Sequence, residues 1–221
     1  MCGRVTLTRP NLESIAAELD VAPMNYRGYP ILEPHYNIAP TSILPILTLD
    51  DGHRHISPMK WGLTLGAKRS VINLRAEAVP SRDPFRERRC GVITDGFYEW
   101  SGPAQGRQPY WFHRPDNALI VLAGLWQWQQ MPDGFQHTFA IITTRANSVM
   151  APIHDRMPVV IDTAHLDTWM NVASTEMAPI RSMLAPAPEH WLVADRASTL
   201  VNSVKNDDVR LLAPHQTQEL R

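Results

Sequence analysis

From Gly91 to Thr144 the chain alternates short runs of apolar, β-branched and aromatic residues with turn residues, and this alternation restricts the fold more than any other feature. The runs extend from Gly91 to Thr94, Phe97 to Trp100, Tyr110 to His113, Leu119 to Leu122, Leu125 to Trp128 and Thr138 to Thr144. Between them stand Asp95-Gly96, Ser101-Gly102-Pro103, Pro115-Asp116-Asn117 and Pro132-Asp133-Gly134, residue types that favour chain reversal. Strands so short and so closely spaced predict an antiparallel, partly closed sheet. The 19 prolines act in the same direction, since each fixes φ and removes a backbone donor, which disfavours long helices.

The flanking segments supply smaller pieces. Val5 to Leu7 reads as a strand, and Asn11 to Leu19 as an amphipathic helix with Leu12, Ile15, Ala16 and Leu19 on one side, stopped by Pro23. Val21 to Pro34 reads as an ordered loop. Ile43 to Leu49 and His53 to Trp61 make a hairpin about Asp51-Gly52, with Pro58 marking the second strand as an edge or a broken one. Gly62 to Ser70 reads as loop, and Val71 to Glu77 as a strand-like start running into helix formers. Asp83 to Arg89 has a capping Asp, a Pro at the first helical position and a basic end, which predicts a short helix. Val159 to Ile161 is an expected strand, Thr163 to Val172 and Thr175 to Leu184 expected helices, and Trp191 to Ala194 a late strand. No repeat or linker interrupts the series. The expected architecture is therefore one α+β domain over residues 2–221, a mainly antiparallel, barrel-like sheet flanked by short helices.

Composition narrows the function classes. No stretch approaches the roughly 18 apolar residues of a membrane span, and the N-terminus lacks the basic and apolar regions of a signal peptide, so a cytoplasmic protein with no membrane partner is expected. Of the two cysteines, Cys2 and Cys90, the second lies in the apolar run Cys90-Gly91-Val92-Ile93 and reads as core. Two distant thiols and nine histidines without ligand spacing predict neither a disulfide framework nor a metal site, and no cofactor is expected. A net charge of −1 excludes a globally basic nucleic-acid binder but leaves room for a local basic groove.

The chain begins Met1-Cys2-Gly3-Arg4. Met before a small residue is ordinarily trimmed, and trimming would make Cys2 the first residue. Its α-amine and thiol would then form a 1,2-aminothiol, with reference pKa values of about 7.7–8.0 and about 8.5, so both nucleophiles are available near neutrality. The natural target is an aldehyde: the amine forms an imine and the sulfur closes a thiazolidine on the same carbon. Three polar residues sit where the pattern does not ask for them. Asn73, between strand-like and helix-like sequence, either caps or faces a ligand. Glu99, on the same strand face as Phe97, is either a carboxyl made proton-competent by burial or half of a salt bridge. His154, in the loop Pro152-Ile153-His154-Asp155-Arg156-Met157-Pro158, is either a general acid or a satisfied surface side chain. Arg4, Arg75, Arg156 and Lys205 are the cations that a basic rim would use if these segments converge.

The ordered set Met-Cys-Gly-Arg, Tyr36-Asn37-Ile38-Ala39-Pro40-Thr41, Trp61-Gly62-Leu63, Ile72-Asn73-Leu74-Arg75-Ala76-Glu77, Asp95-Gly96-Phe97-Tyr98-Glu99-Trp100, Ile153-His154-Asp155-Arg156-Met157-Pro158 and Val201-Asn202-Ser203-Val204-Lys205-Asn206 resembles the SOS-response-associated peptidase (SRAP) family over nearly the whole chain. The resemblance implies a monomeric, nucleoid- or replication-associated protein that recognises abasic sites in single-stranded DNA and bonds to them through the N-terminal cysteine. It assigns Cys2 as nucleophile, Asn73 as the orienting amide, Glu99 as proton shuttle and His154 as the acid near the opened sugar. Arg4, Arg75 and Arg156 match phosphate-contacting positions, with Lys205 beside them and Pro40 and Trp100 lining the site. This chain departs from the family in Leu74, where Ala is frequent, and in Thr64-Leu65-Gly66-Ala67, where the family often carries a second Trp. Two other classes fit the same terminus: an N-terminal-nucleophile cysteine peptidase acting on its own Met1 linkage or on peptides, and a non-covalent single-strand-binding module.

Overall fold

The computed structural model describes residues 2–26, 29, 32–65, 69–79, 87–103, 106–131, 134–173 and 176–213. Strands occupy β1 (Val5–Leu7), β2 (His35–Ile38), β3 (Ile43–Asp50), β4 (His53–Trp61), β5 (Leu63–Leu65), β6 (Arg69–Val71), β7 (Asn73–Arg75), β8 (Arg89–Thr94), β9 (Gly96–Ser101), β10 (Gln108–His113), β11 (Ile120–Met131), β12 (Gly134–Arg145), β13 (Arg156–Pro158), β14 (Val160–Ile161) and β15 (Val193–Arg196). β12, β4, β3, β8 and β11 pair in that order, and β11 pairs back onto β12, so the five close into a barrel. Its joints are antiparallel except for β12 with β4. β7 adds to β12 in parallel, and β13 and β14 extend the sheet. A second, antiparallel sheet runs β15-β10-β9-β1-β2. Leu44, Ile46, Val92, Leu122, Phe139 and Ile141 are among the fully buried residues of the core, where Trp61 stacks on Phe139 at 6.2 Å.

The α+β class with a mainly antiparallel, partly closed sheet and short helices is what the strand and turn pattern led one to expect, and several local expectations need correction. Leu119 to Leu122 and Leu125 to Trp128 are not two strands; Ile120 to Trp128 is part of one, because Gly124 marks close packing rather than a break. A Cβ there would lie 2.9 Å from Cys90 Sγ and 3.3 Å from the Ala140 carbonyl oxygen. The segment read as loop from Gly62 holds the β5–β6 ladder. Pro58 faces Pro45 within an unbroken β3–β4 ladder, and β4 meets β12 only at Lys60 and Trp61, so the proline falls where its second side needs no donor. The expected helix from Thr163 is shorter, a 3₁₀ turn (Thr163–His165) and one helix (Leu166–Met170), and the next spans Met177–Ser182. Most of the helix expected from Asp83 lies outside the described residues; its end, Arg89, instead starts β8 with a buried guanidinium donating to the backbone carbonyls of Trp169 and Asn171. Helix α1 (Leu12–Glu18) matches expectation, with Asn11 Oδ1 accepting from the amides of Glu13 and Ser14 at 2.8 and 3.2 Å. Among the described residues no helix is long and apolar enough to cross a membrane.

Asp95-Gly96 is not a hairpin turn, because β8 and β9 belong to different sheets. Asp95 ties those sheets together, accepting from Thr6 Oγ1 at 2.6 Å and from the amide and hydroxyl of Thr8 at 2.6 and 2.7 Å. Gly96 permits the crossing, since a Cβ there would sit 2.2 Å from Trp111 Nε1 and 2.8 Å from Thr6 Oγ1. Gly96→Ala is therefore expected to lower stability by about 3 kcal/mol, at the upper end for overpacking. The check is the urea midpoint, and an unshifted value would show that the ring moves aside freely.

Candidate functional site

The site forms where the two sheets meet. β1 lies between β2 and β9, with Val5 opposite Phe97 and the Tyr98 amide donating to the Arg4 carbonyl at 2.9 Å. That register brings the chain just before β1 alongside Glu99, so Cys2 is fully buried and feels the Glu99 charge. β7 reaches the same place from the barrel. Ile141 pairs with Asn73 in parallel, and Asn73 Nδ2 donates to the Cys2 carbonyl at 2.7 Å. Asn73 thus sits in a strand and neither caps nor precedes a helix directly; the 3₁₀ turn (Ala76–Ala78) follows Arg75 without a side-chain cap. The Asn73 Oδ1 atom is buried with no hydrogen-bond partner among the described residues.

Electrostatics separate the titratable groups. Burial pushes the Cys2 thiol well above the ordinary range, and the Glu99 charge raises it further, against opposing effects from the chain's amino terminus and the Arg4 amide. Burial likewise raises the Glu99 carboxyl, which is 3 % exposed, while the amino terminus and His154 hold it down in part. His154 follows the Met150 carbonyl, to which its amide donates at 3.0 Å. Its Nδ1 lies 2.9 Å from the Arg156 amide and 3.0 Å from an Asp155 carboxylate oxygen. An amide N–H can only donate, so we assign Nδ1 as its acceptor and place the neutral ring's proton on Nε2; Asp155, 87 % exposed, pairs with this ring only when the ring is protonated.

Arg4 is turned inward. It donates to Asn37 Oδ1 at 2.5 Å and to the Val201 carbonyl at 2.9 Å, with its guanidinium carbon 5.8 Å from the Trp100 ring. Asn37 Nδ2 faces the carbonyls of Val201, Ser203 and Asn206 at 3.3, 3.0 and 2.6 Å, and Trp100 Nε1 donates to Asn202 Oδ1 at 2.7 Å. The 201–206 segment is thus pinned to Arg4, Asn37 and Trp100, a role for Asn37 that its place in a sequence landmark did not reveal. Its signal was a polar residue in the strand-like context Tyr36-Asn37-Ile38. Arg156 donates from Nη1 and Nη2 to Glu77 at 3.0 and 2.9 Å.

The structure therefore gathers Cys2, Asn73, Glu99 and His154 and fastens Arg4 and Trp100 to an adjoining segment. Lys205 is exposed on that segment, Arg75 is exposed at the end of β7, and Pro40 is half-buried ahead of Thr41 (φ 78). None of these three is hydrogen-bonded to the gathered residues among those described. Among the described residues no group of three or more His, Cys, Asp or Glu side chains is placed to hold a metal ion.

The family described as SOS response associated peptidase (SRAP) matches residues 1–204. Abasic site processing protein YoaM of Bacillus subtilis is 32% identical over 96% of this chain and 97% of its own length. Abasic site processing protein YedK of Escherichia coli is 29% identical over 97% of this chain and 100% of its own. Among solved structures, a protein from Bacteroides thetaiotaomicron superposes with a TM-score of 0.79 at 22% identity, covering 96% of this chain and 99% of that one. A phage-related protein from Bordetella bronchiseptica superposes with a TM-score of 0.71 at 27% identity, covering 90% of this chain and 95% of that one. With a match across most of its length, this chain belongs to the SOS response associated peptidase (SRAP) family.

Proposed function

We propose that this protein processes abasic sites in single-stranded DNA and bonds to them through Cys2 once Met1 is removed, shielding the lesion from strand cleavage. The observation that carries the reading is the hydrogen bond from Asn73 to the Cys2 carbonyl beside the buried carboxyl of Glu99. It holds the residue bearing the aminothiol against a proton carrier. Relatives across the full length are named abasic site processing proteins, which supports the same substrate.

The steps follow from the groups at hand. An abasic deoxyribose opens to a C1′ aldehyde as the C1′ hydroxyl loses its proton and His154, in its imidazolium form, gives one to the ring oxygen. The Cys2 amine adds to C1′, Glu99 passes the proton needed to expel water, and an imine results. The thiol then adds across C=N, its proton passing to nitrogen by way of Glu99, and the thiazolidine closes. One water leaves in all. A tetrahedral C1′ no longer acidifies the C2′ protons, so β-elimination stops. The raised thiol pKa fits this order: the amine leads, and the sulfur acts late, on an electrophile already in place. A cysteine peptidase would instead need a thiolate at the outset.

The test is an intact mass spectrum after mixing the protein with a single-stranded oligonucleotide bearing one abasic site. The expected mass is the sum of both components less one water. Binding without a covalent mass would leave a non-covalent single-strand binder, and turnover of peptides would restore the peptidase.

A further inference from the structure

We infer that Glu77 occupies the seat on Arg156 that a DNA phosphate takes in the complex, so that binding requires the phosphate to displace this carboxylate. The inference rests on the proposed DNA substrate. Arg156 Nη1 and Nη2 meet Glu77 Oε1 and Oε2 at 3.0 and 2.9 Å, two parallel bonds of the kind by which a guanidinium also takes a phosphate. The two partners are held unequally. Arg156 starts β13, its side chain is 12 % exposed, and Nη2 also donates to the Thr143 carbonyl at 2.5 Å. Glu77 comes from the 3₁₀ turn (Ala76–Ala78), with its side chain 58 % exposed. The cation is the fixed partner, and the solvated carboxylate is the one that can leave.

The location makes the exchange consequential. The Arg156 amide holds His154 Nδ1, and the turn carrying Glu77 continues directly from β7, whose first residue holds the Cys2 carbonyl. A phosphate bound to Arg156 therefore lies next to the residues that gather around the reacting sugar. Exposed Arg75 adds a second positive charge acting on Glu77. Removing the Glu77 carboxylate makes the charge around Arg75 and Arg156 more positive by one. Glu77 thus discriminates against anions too weak to displace it and keeps Arg156 in its fork geometry before DNA arrives.

The experiment measures affinity for a single-stranded oligonucleotide carrying a tetrahydrofuran abasic analogue, which has no aldehyde, so that binding is read apart from bonding. Glu77→Gln is expected to tighten binding roughly three- to tenfold at low salt and to steepen log K against log salt by about one. Glu77→Ala should move both in the same direction. In an Arg156→Gln background, Glu77→Gln should give no gain, because the seat is gone. Weaker or unchanged affinity on removing the carboxylate, or a gain that persists without Arg156, would overturn the inference and make Glu77 a simple support. A wild-type protein that gives no covalent mass with a true abasic oligonucleotide overturns the proposed function instead. A normal adduct together with no gain from Glu77→Gln overturns this inference alone.

Discussion

Replacing Cys2 by alanine is expected to eliminate the heat-stable DNA–protein species while leaving non-covalent affinity within about twofold, since the Cys2 side chain is buried and uncharged and the terminal amine is kept. Alanine keeps the α-amine, and Met before a small residue is still trimmed, so imine formation survives. What is lost is the capture step. In the wild type the thiol and the imine carbon belong to one five-membered closure, an arrangement whose effective molarity reaches about 10⁵ M or more. Without it the iminium persists and its acidified C2′ protons leave. Cys2→Ala should therefore yield a species trapped only by borohydride, together with increased strand cleavage at the abasic site. Denaturing electrophoresis with and without borohydride reads both at once. A heat-stable band of wild-type intensity in the variant would sink the aminothiol chemistry.

The barrel could be read from the chain because its strands advertise themselves locally. Asp51-Gly52 takes positive φ at both residues and joins β3 to β4 as its type requires, and Asn11 caps α1 through its own side chain. What escaped reading depends on partners distant in sequence. Gly124 resembles a break until Cys90 and Ala140 are placed against it. Arg4 reads as a free cation for DNA, yet its carbonyl partner at Val201 lies 197 residues away. Asn37 carries no visible role until the 201–206 carbonyls arrive above it. Arg156 likewise reads as a rim cation, and only the fold shows that Glu77 already covers it. Cys2, Asn73, Glu99 and His154 stand out in the sequence because each is a reactive or polar group in a context that gives it no obvious structural task. Their convergence needed the register between β1 and β9 and the parallel addition of β7 to β12, which no local pattern encodes.

Glu99→Gln is the second large effect expected, and its sign differs between rate and stability. Glutamine preserves size and hydrogen-bonding capacity but can neither accept nor return a proton, so adduct formation should slow by about 10²- to 10⁴-fold. Stability should move the other way. Burial raises the folded-state carboxyl above its unfolded value of about 4.3, so between the two values the folded protein holds more protons than the unfolded chain. Stability is thus greatest below the unfolded pKa, falls as pH rises through the window, and stays reduced above the folded pKa. Glu99→Gln removes that loss, giving a higher melting temperature than wild type near neutrality and no advantage below about pH 4. The same raised carboxyl gives the wild-type rate an acid limb, because a protonated Glu99 cannot relieve the Cys2 ammonium of its proton. That limb should vanish in the variant. A slow variant that keeps the wild-type pH profile would mean that Glu99 shapes the site without carrying protons, and the shuttle would have to pass to another group.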